Sequence, residues 1–234
     1  MLHLIVTARN LAGMSDRVLV VIDDPFELFS VSAALKMHGV DVVAEARKKS
    51  TAISLFRSLQ PNVVLIDMHK SQEHSVDIAH AIRKEASEIG VVILVPCADM
   101  RLIGEDLAQM PAGTLLVLKD SLSNLSSLCD VISASRVFEA GQKVAWVNGG
   151  ITLKDKESHG LMSSLSDIQI QTLRYAADGL TNAEIGRLRF VSEKAIEQVL
   201  SRVAIALNIQ PDYRKNMRVQ LVNEFHKWIG APTR

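Results

Sequence analysis

Acidic side chains and one lysine follow several of the apolar runs in the first half of this chain. Asp23 and Asp24 come directly after the first run, Asp67 ends the third and Lys119 follows the fifth. Clustered carboxylates suit a hard cation such as Mg2+, which takes oxygen ligands. A carboxylate beside that cation can accept a phosphoryl group, and a lysine can neutralise the phosphoryl charge. These residue types therefore indicate phosphoryl chemistry. The alternative is that strand ends favour polar residues and that Asp-Asp-Pro forms a turn.

The elements that must position these side chains are short β-branched runs that alternate with helical patterns. The runs predict strands at 17–22, 41–46, 62–67, 91–95 and 114–118. The patterns beside them predict helices at 26–38, 50–59, 77–88 and 123–140. Near-continuous apolar strands separated by helices indicate a parallel sheet covered on both faces. Working residues of such sheets lie at the carboxyl ends of the strands, which is where the acids and the lysine stand.

Residues 165–209 carry the pattern of a helix-turn-helix. Ser166 and Thr181 each precede a glutamine or a glutamate by three positions, which is the spacing of a capping box. Gly179 stands where the end of a helix favours a left-handed residue. Ser192 then caps a longer amphipathic run. Three helix starts in so short a span indicate a module that presents its last helix to a partner, and DNA is the leading candidate.

Composition and charge limit the class of protein. The chain has 234 residues, a hydrophobic fraction of 48% and no formal net charge, which is typical of one or two globular domains. No apolar stretch reaches the ~18 residues of a membrane span. Cys97 and Cys129 form neither a ligand cluster nor a disulfide framework, so a reducing cytoplasm is expected. From residue 164 onward the chain has ten Lys and Arg and seven Asp and Glu. Before residue 164 it has 16 Lys and Arg and 19 Asp and Glu. This modest asymmetry agrees with a nucleic-acid-facing second half.

Two segments resemble a known family. Residues 17–140 resemble a response-regulator receiver domain. The stretches LS (165–166), ADGLTNAEI (177–185) and VSEK (191–194) resemble the LuxR-type DNA-binding pattern, because caps, glycine and apolar positions fall in one register. Nearly the whole chain after residue 14 is therefore similar to a NarL/FixJ-type response regulator. The resemblance implies an α/β flavodoxin-like, doubly wound parallel domain of five strands, linked to an all-α domain of four helices.

The resemblance also implies roles for the strand-end residues. It makes Asp67 the phosphoacceptor and Lys119 the phosphoryl contact, and it places a Mg2+ site at Asp23, Asp24 and Asp67. If the chain is aligned with the family without a gap at Pro25, Ile22 takes the place of the first acid, and only Asp23 of the acidic pair keeps a family role.

The chain departs from the receiver pattern at the switch positions. Receivers end the fourth strand with Thr or Ser, and the matching residue here is Val95. The aromatic position of the fifth strand is Leu116, and Lys70-Ser71 and Ser75 stand where the family favours Met-Pro and a later glycine. A valine cannot donate a hydrogen bond to a phosphoryl oxygen. A degenerate, phosphorylation-independent receiver that acts through dimerisation or protein–protein interaction is therefore the alternative interpretation.

The outer face of the predicted third helix of the second domain carries the candidate DNA contacts. These are Lys194, Glu197, Gln198, Ser201 and Arg202. We expect Lys194, Gln198 and Arg202 to make the main contacts. Glu197 stands where the family often has a lysine; this costs electrostatic affinity, but a carboxylate can accept a hydrogen bond from cytosine N4.

Two other positions of this helix depart from the family, which often has Thr and His where Ala195 and Val199 stand. Arg187, Arg189, Arg214 and Lys215 are further candidates for contacts to the DNA backbone. A two-faced helix is ordinary in any small bundle, so periodicity alone proves no DNA contact.

The predicted organisation is an extension at 1–13, a receiver-like domain at 14–140, a linker at 141–163 and a helix-turn-helix domain at 164–234. Within the linker, the apolar runs at 144–147 and 151–153 are candidates for short strands or for packing on a neighbour. Residues 1–13 lack the basic leader of a signal peptide, and Met14 is a candidate natural start.

The predicted function is a cytoplasmic transcription regulator of the two-component type. We expect it to bind double-stranded DNA as a homodimer, with a fourth helix at about 213–228 forming the dimer contact and a sensor histidine kinase as phosphoryl source. No membrane association is expected. An enzyme is disfavoured because no glycine-rich phosphate loop follows the first strand and no nucleophile–base pair is evident.

Overall fold

The computed structural model describes residues 15–68, 75–122, 124–137, 144–148, 151–153, 164–210 and 212–230. The chain divides into two compact units. One comprises Met1–Pro96 with Leu107–Glu157, and the other comprises Cys97–Asp106 with Ser158–Arg234. Residues 1–14, including the predicted extension and start, lie outside the described residues, as do Lys70 and Ser71.

The first unit is a sheet of seven strands with helices between them. The strands are β1 (Arg17–Val21), β2 (Asp41–Ala46), β3 (Val63–Asp67), β4 (Gly90–Val95), β5 (Thr114–Leu118), β6 (Ala145–Asn148) and β7 (Ile151–Leu153). The helices are α1 (Pro25–Met37), α2 (Lys49–Leu59), α3 (Ser75–Glu85) and α4 (Leu125–Ser135), with short 3-10 turns at Leu107–Gln109 and Lys119–Ser121.

The strand order is β2-β1-β3-β4-β5-β6-β7. All neighbours are parallel except β6 and β7, which are antiparallel. The doubly wound parallel domain is therefore confirmed, but the count of five strands is wrong for this sheet. The two additional strands lie within 141–163, which the sequence predicts to be a linker with candidate short strands at 144–147 and 151–153. The structure forms both of these strands, four and three residues long.

Both faces of the sheet are covered. Leu28 and Leu35 of α1 and Ile132 of α4 belong to one core with alternate residues of β1 and β3. The intervening strand residues, such as Leu19 and Ile66, point to the opposite face of the sheet and are also buried. On that other face α2 contacts β1 and β2, and α3 contacts β3. This coverage explains why the central strands are apolar along their whole length.

The second unit has the four predicted helices. They are α5 (Asp167–Ala177), α6 (Asn182–Leu188), α7 (Glu193–Ala206) and α8 (Met217–Trp228). Residues 97–106 join this unit through a 3-10 turn at Met100–Ile103. Arg101 ties this segment to the start of α5, since its Nη1 donates to Asp167 Oδ1 (2.7 Å) and to the carbonyl oxygen of Leu165 (3.1 Å).

The helix starts of this unit are set by local side-chain caps. Ser166 and Gln169 form both hydrogen bonds of a capping box. Thr181 accepts from the Glu184 amide (3.2 Å). Within the described residues, the Glu184 carboxylate does not return a bond to the Thr181 amide and lies 2.6 Å from Arg187 Nη1. Ser192 caps α7 by accepting from the Ala195 amide, at 3.2 Å.

Helix α8 begins four residues later than the predicted 213. Asn216 caps it by accepting from the Arg218 and Val219 amides, so the helix cannot extend back through Asn216. No described helix is long and apolar enough to cross a membrane.

Candidate functional site

Asp67 and Lys119 meet at the carboxyl end of the sheet. Asp67 is the last residue of the fully buried strand β3 and is itself only 6% exposed. Lys119 follows β5, and both strands flank β4. The Lys119 Nζ atom lies 2.6 Å from Asp67 Oδ1. The Ser75 hydroxyl, at the start of α3, donates to the Asp67 carbonyl oxygen at 3.0 Å. A buried carboxylate is thus held against an ammonium group, and such a group can stabilise the charge of a transferring phosphoryl group.

Lys119 also bonds a second carboxylate, which the sequence patterns did not single out. Its Nζ lies 2.9 Å from Glu27 Oε1, in the first turn of α1. Burial acts to lower the pKa of Lys119, but the charges and hydrogen bonds of Asp67 and Glu27 outweigh burial and raise it overall. The spacing of Asp24 and Glu27 is a helix-start signal, yet nothing in it indicates that the glutamate faces Lys119.

The acidic pair after β1 is used differently from the prediction. Asp24 is exposed and caps α1, with its Oδ1 accepting from the Glu27 amide at 2.8 Å. Asp23 is half-buried, and its Oδ1 lies 3.9 Å from Arg47 Nη2. Within the described ranges, no three His, Cys, Asp or Glu side chains are grouped to hold a metal ion. The structure therefore does not assemble Asp23, Asp24 and Asp67 into the predicted Mg2+ site.

The two switch positions are filled by buried aliphatic side chains. Val95 ends β4 and Leu116 lies in the middle of β5, and both are 0% exposed. Val95 pairs in register with Leu118, directly before Lys119. The end of β4 therefore presents methyl groups where a hydroxyl would donate to a phosphoryl oxygen.

The five predicted DNA contacts all lie on the exposed face of α7. Lys194, Glu197, Gln198, Ser201 and Arg202 are exposed. The opposite face is buried, with Ile196, Leu200 and Val203 at no more than 2% exposure. The Ser201 hydroxyl donates to the Glu197 carbonyl oxygen at 2.8 Å. Helix α7 contains two acidic and two basic residues, so its own charge is balanced.

Several neighbouring arginines serve the fold of this unit. Arg189 donates to the Thr172 hydroxyl, and Arg187 pairs with Glu184. Arg218, which the sequence patterns did not single out, donates to Asn182 Oδ1 at 2.6 Å and to the Leu180 carbonyl oxygen. The two Arg218 hydrogen bonds connect α8 to the start of α6 and to the turn between α5 and α6.

Comparison with known proteins agrees with this architecture. No family model matches the chain. The DNA-binding transcriptional activator EvgA of Escherichia coli (strain K12) is 22% identical over 79% of this chain and 88% of its own length. The nitrate/nitrite response regulator protein NarP of the same strain is 26% identical over 83% of this chain and 89% of its own length.

A solved structure also matches both units. It is RcsB from Salmonella enterica serovar Typhimurium bound to promoter P1flhDC in the presence of phosphomimetic BeF3-, with 17% identity, a TM-score of 0.50 and coverage of 92% of this chain and 100% of that chain. At that identity the likeness concerns the fold alone. Over most of its length the chain is therefore similar to DNA-binding regulators and response regulators, and its fold is similar to that of RcsB.

Proposed function

We propose that this protein is a DNA-binding transcription regulator in which the receiver-like unit controls a helix-turn-helix output. The observation that carries the proposal is α7, which is capped by Ser192, buried on one side and exposed along its other face. In helix-turn-helix proteins the second helix of the motif lies in the major groove. A DNA partner implies a cytoplasmic location. EvgA is a DNA-binding transcriptional activator, which supports the same function here.

We assign Lys194, Gln198 and Arg202 as the main DNA contacts and Glu197 as the specificity element. Because the acids and bases of α7 balance, phosphate attraction contributes less and base reading contributes more. Glu197→Lys should change the preferred DNA sequence. The matched control is Glu193→Lys, which makes the same charge reversal in the first turn of the same helix and should raise affinity on every sequence. If Glu197→Lys behaves like the control, Glu197 does not read a base.

Genome-wide DNA binding by the wild type and by Asp67→Ala tests the regulator as a whole. We expect a specific operator with two half-sites, since the exposed Met217 and Val219 of α8 offer an apolar surface to a second copy. Leu221 and Phe225 of the same helix are 0% exposed and belong to the core of their own unit. Absence of any enriched sequence for either protein would eliminate the proposed function.

We propose Asp67 as the phosphoacceptor and Lys119 as its counter-ion, with a sensor histidine kinase as the phosphoryl donor. The support is the 2.6 Å contact between the two side chains and the burial of Asp67. The carboxylates present do not fit a complete Mg2+ site, because one Asp24 oxygen is engaged in the cap and Asp23 faces Arg47. Among the residues at this end of the sheet, we therefore assign roles in phosphoryl acceptance to Asp67 and Lys119.

A phosphorylation-independent receiver is the second proposal, and the burial of Val95 favours it. Labelling with acetyl phosphate separates the two. Label on the wild type that disappears in Asp67→Ala eliminates the phosphorylation-independent receiver. A wild type that takes no label, while it still binds its operator, eliminates phosphorylation as the input.

A further inference from the structure

The Lys119 ammonium lies between two carboxylates that come from distant parts of the chain. Its Nζ lies 2.6 Å from Asp67 Oδ1 and 2.9 Å from Glu27 Oε1. The start of α1 holds the Glu27 backbone in place, because Pro25 begins the helix and the Asp24 carboxylate accepts from the Glu27 amide. The first turn of α1 thus brings an additional negative charge to the candidate phosphoacceptor.

We infer that Glu27 is a positioning residue that restrains the reaction of Asp67 with phosphoryl donors by holding Lys119 and by repelling the incoming anion. The inference rests on the proposed role of Asp67. In the reaction with acetyl phosphate, an Asp67 carboxylate oxygen forms a bond to phosphorus, the bond from phosphorus to the acetyl oxygen breaks, and acetate leaves. The transferred group brings negative charge to a place where Lys119 already neutralises two carboxylates.

Repulsion is the larger part of this restraint. A lysine ammonium has three N–H donors, so Lys119 can bond Glu27 and a phosphoryl oxygen at once. It cannot supply more than one positive charge to three anionic groups. The side chains of Asp67, Lys119 and Glu27 are 3%, 26% and 32% exposed, so water screens their charges less than on an open surface.

Removing the Glu27 charge should therefore speed labelling of Asp67. Glu27→Gln keeps the size of the side chain and one acceptor oxygen, removes the charge and replaces the other oxygen with an NH2 group. We expect the initial rate of labelling by acetyl phosphate to rise about fivefold at low salt, and the ratio of variant to wild type to fall as ionic strength increases. The fall with salt is a readout that a merely structural role would not produce.

The matched control is Glu45→Gln. Glu45 is also partly exposed and also pairs with a lysine of the same unit, since its Oε1 lies 2.7 Å from Lys36 Nζ, but it lies on β2 and not beside Asp67. This variant should label at the rate of the wild type. Equal rates for the wild type, Glu27→Gln and Glu45→Gln would overturn the inference and leave the phosphoacceptor proposal standing. If the wild type and both variants take no label, the proposed phosphorylation fails and the restraint fails with it.

A second measurement tests the hold on Lys119 directly. Reaction of each intact protein with a dilute acylating reagent, followed by mass spectrometry of the Lys119 peptide, reports how available the amine is. Glu27→Gln should make Lys119 react faster, because one of its two carboxylate partners no longer binds it as an ion. Unchanged Lys119 reactivity would show that Glu27 does not hold the amine, and would overturn that part of the inference independently of labelling.

Discussion

Phe190 lies in the turn between α6 and α7 and should be replaceable with a gain in stability. Its backbone is left-handed, with φ of 56°, and its side chain is 96% exposed. A left-handed conformation brings Cβ close to the following carbonyl oxygen, which disfavours bulky residues, whereas Asn adopts it more readily. Asn208 has the same φ of 56° after α7 in the same unit. Phe190→Asn therefore places at this turn a residue type that the unit already uses.

The size of the gain follows from the two properties of Phe190. The left-handed backbone costs an ordinary residue about 1–2 kcal/mol, and Asn avoids part of that cost. Because the side chain is almost fully exposed, its removal gives up almost no buried apolar area. We expect the free energy of unfolding of the second unit to rise by about 1 kcal/mol. For a unit of this size, this corresponds to a rise of about 4–8 °C in the midpoint temperature of thermal unfolding.

The chain offers a simple assay. Its two tryptophans are Trp146 in β6 and Trp228 in α8, one in each unit. In a Trp146→Phe background, the fluorescence of Trp228 follows the unfolding of the second unit alone. Midpoints with and without Phe190→Asn then give the difference, and separate reporting is needed because two units need not unfold together.

Tyr213→Asn is the matched control. Tyr213 is an aromatic residue of the same unit, 91% exposed, and its φ is not positive. Its replacement removes an exposed ring without relieving any backbone strain, so the free energy of unfolding should stay within about 0.5 kcal/mol of the value in the Trp146→Phe background. An equal rise in both variants would assign the gain to loss of an exposed ring, and no rise in Phe190→Asn would refute the backbone argument.

Three further predictions concern both units. Gly186→Ala should destabilise the second unit by about 1–3 kcal/mol in the Trp228 assay, because its Cβ would lie 2.7 Å from the Val191 carbonyl oxygen; an unchanged midpoint contradicts this. Asp24→Ala should lower the free energy of unfolding of the first unit by about 1 kcal/mol, measured by urea unfolding. Asp24→Asn should change it very little, because Asn also caps helices. Equal losses in the two variants would show that the charge of Asp24, and not its cap, stabilises the unit. Lys119 has a raised pKa in the folded state, so its stabilisation is complete below the ordinary lysine pKa and is lost as the pH rises through the raised value. The stability difference between wild type and Lys119→Met should therefore hold through mildly alkaline pH and shrink above it, and a pH-independent difference would refute the pairing with Asp67.

Local signals account for most of the predicted architecture. The central strands are readable because both of their faces are buried, so that nearly every residue of β3 and β4 is apolar. The helix starts at Ser166, Thr181 and Ser192 are readable because each cap is a contact across three residues. The order of these elements, and the placement of Asp67 and Lys119 at strand ends, follow from such short-range patterns.

Long-range placement decided the remainder. The Glu27 carboxylate reaches Lys119 across 92 residues of chain, and no local spacing encodes that meeting. Asp24 has the residue type of a cation ligand, but the start of α1 engages its carboxylate as a cap. The segments 144–147 and 151–153 are candidate strands by sequence, but only the tertiary structure shows that β6 pairs with the edge of β5 and β7 pairs with β6. Local sequence thus determined which elements form, while the side chains that share a site depended on how the sheet and its helices pack in three dimensions.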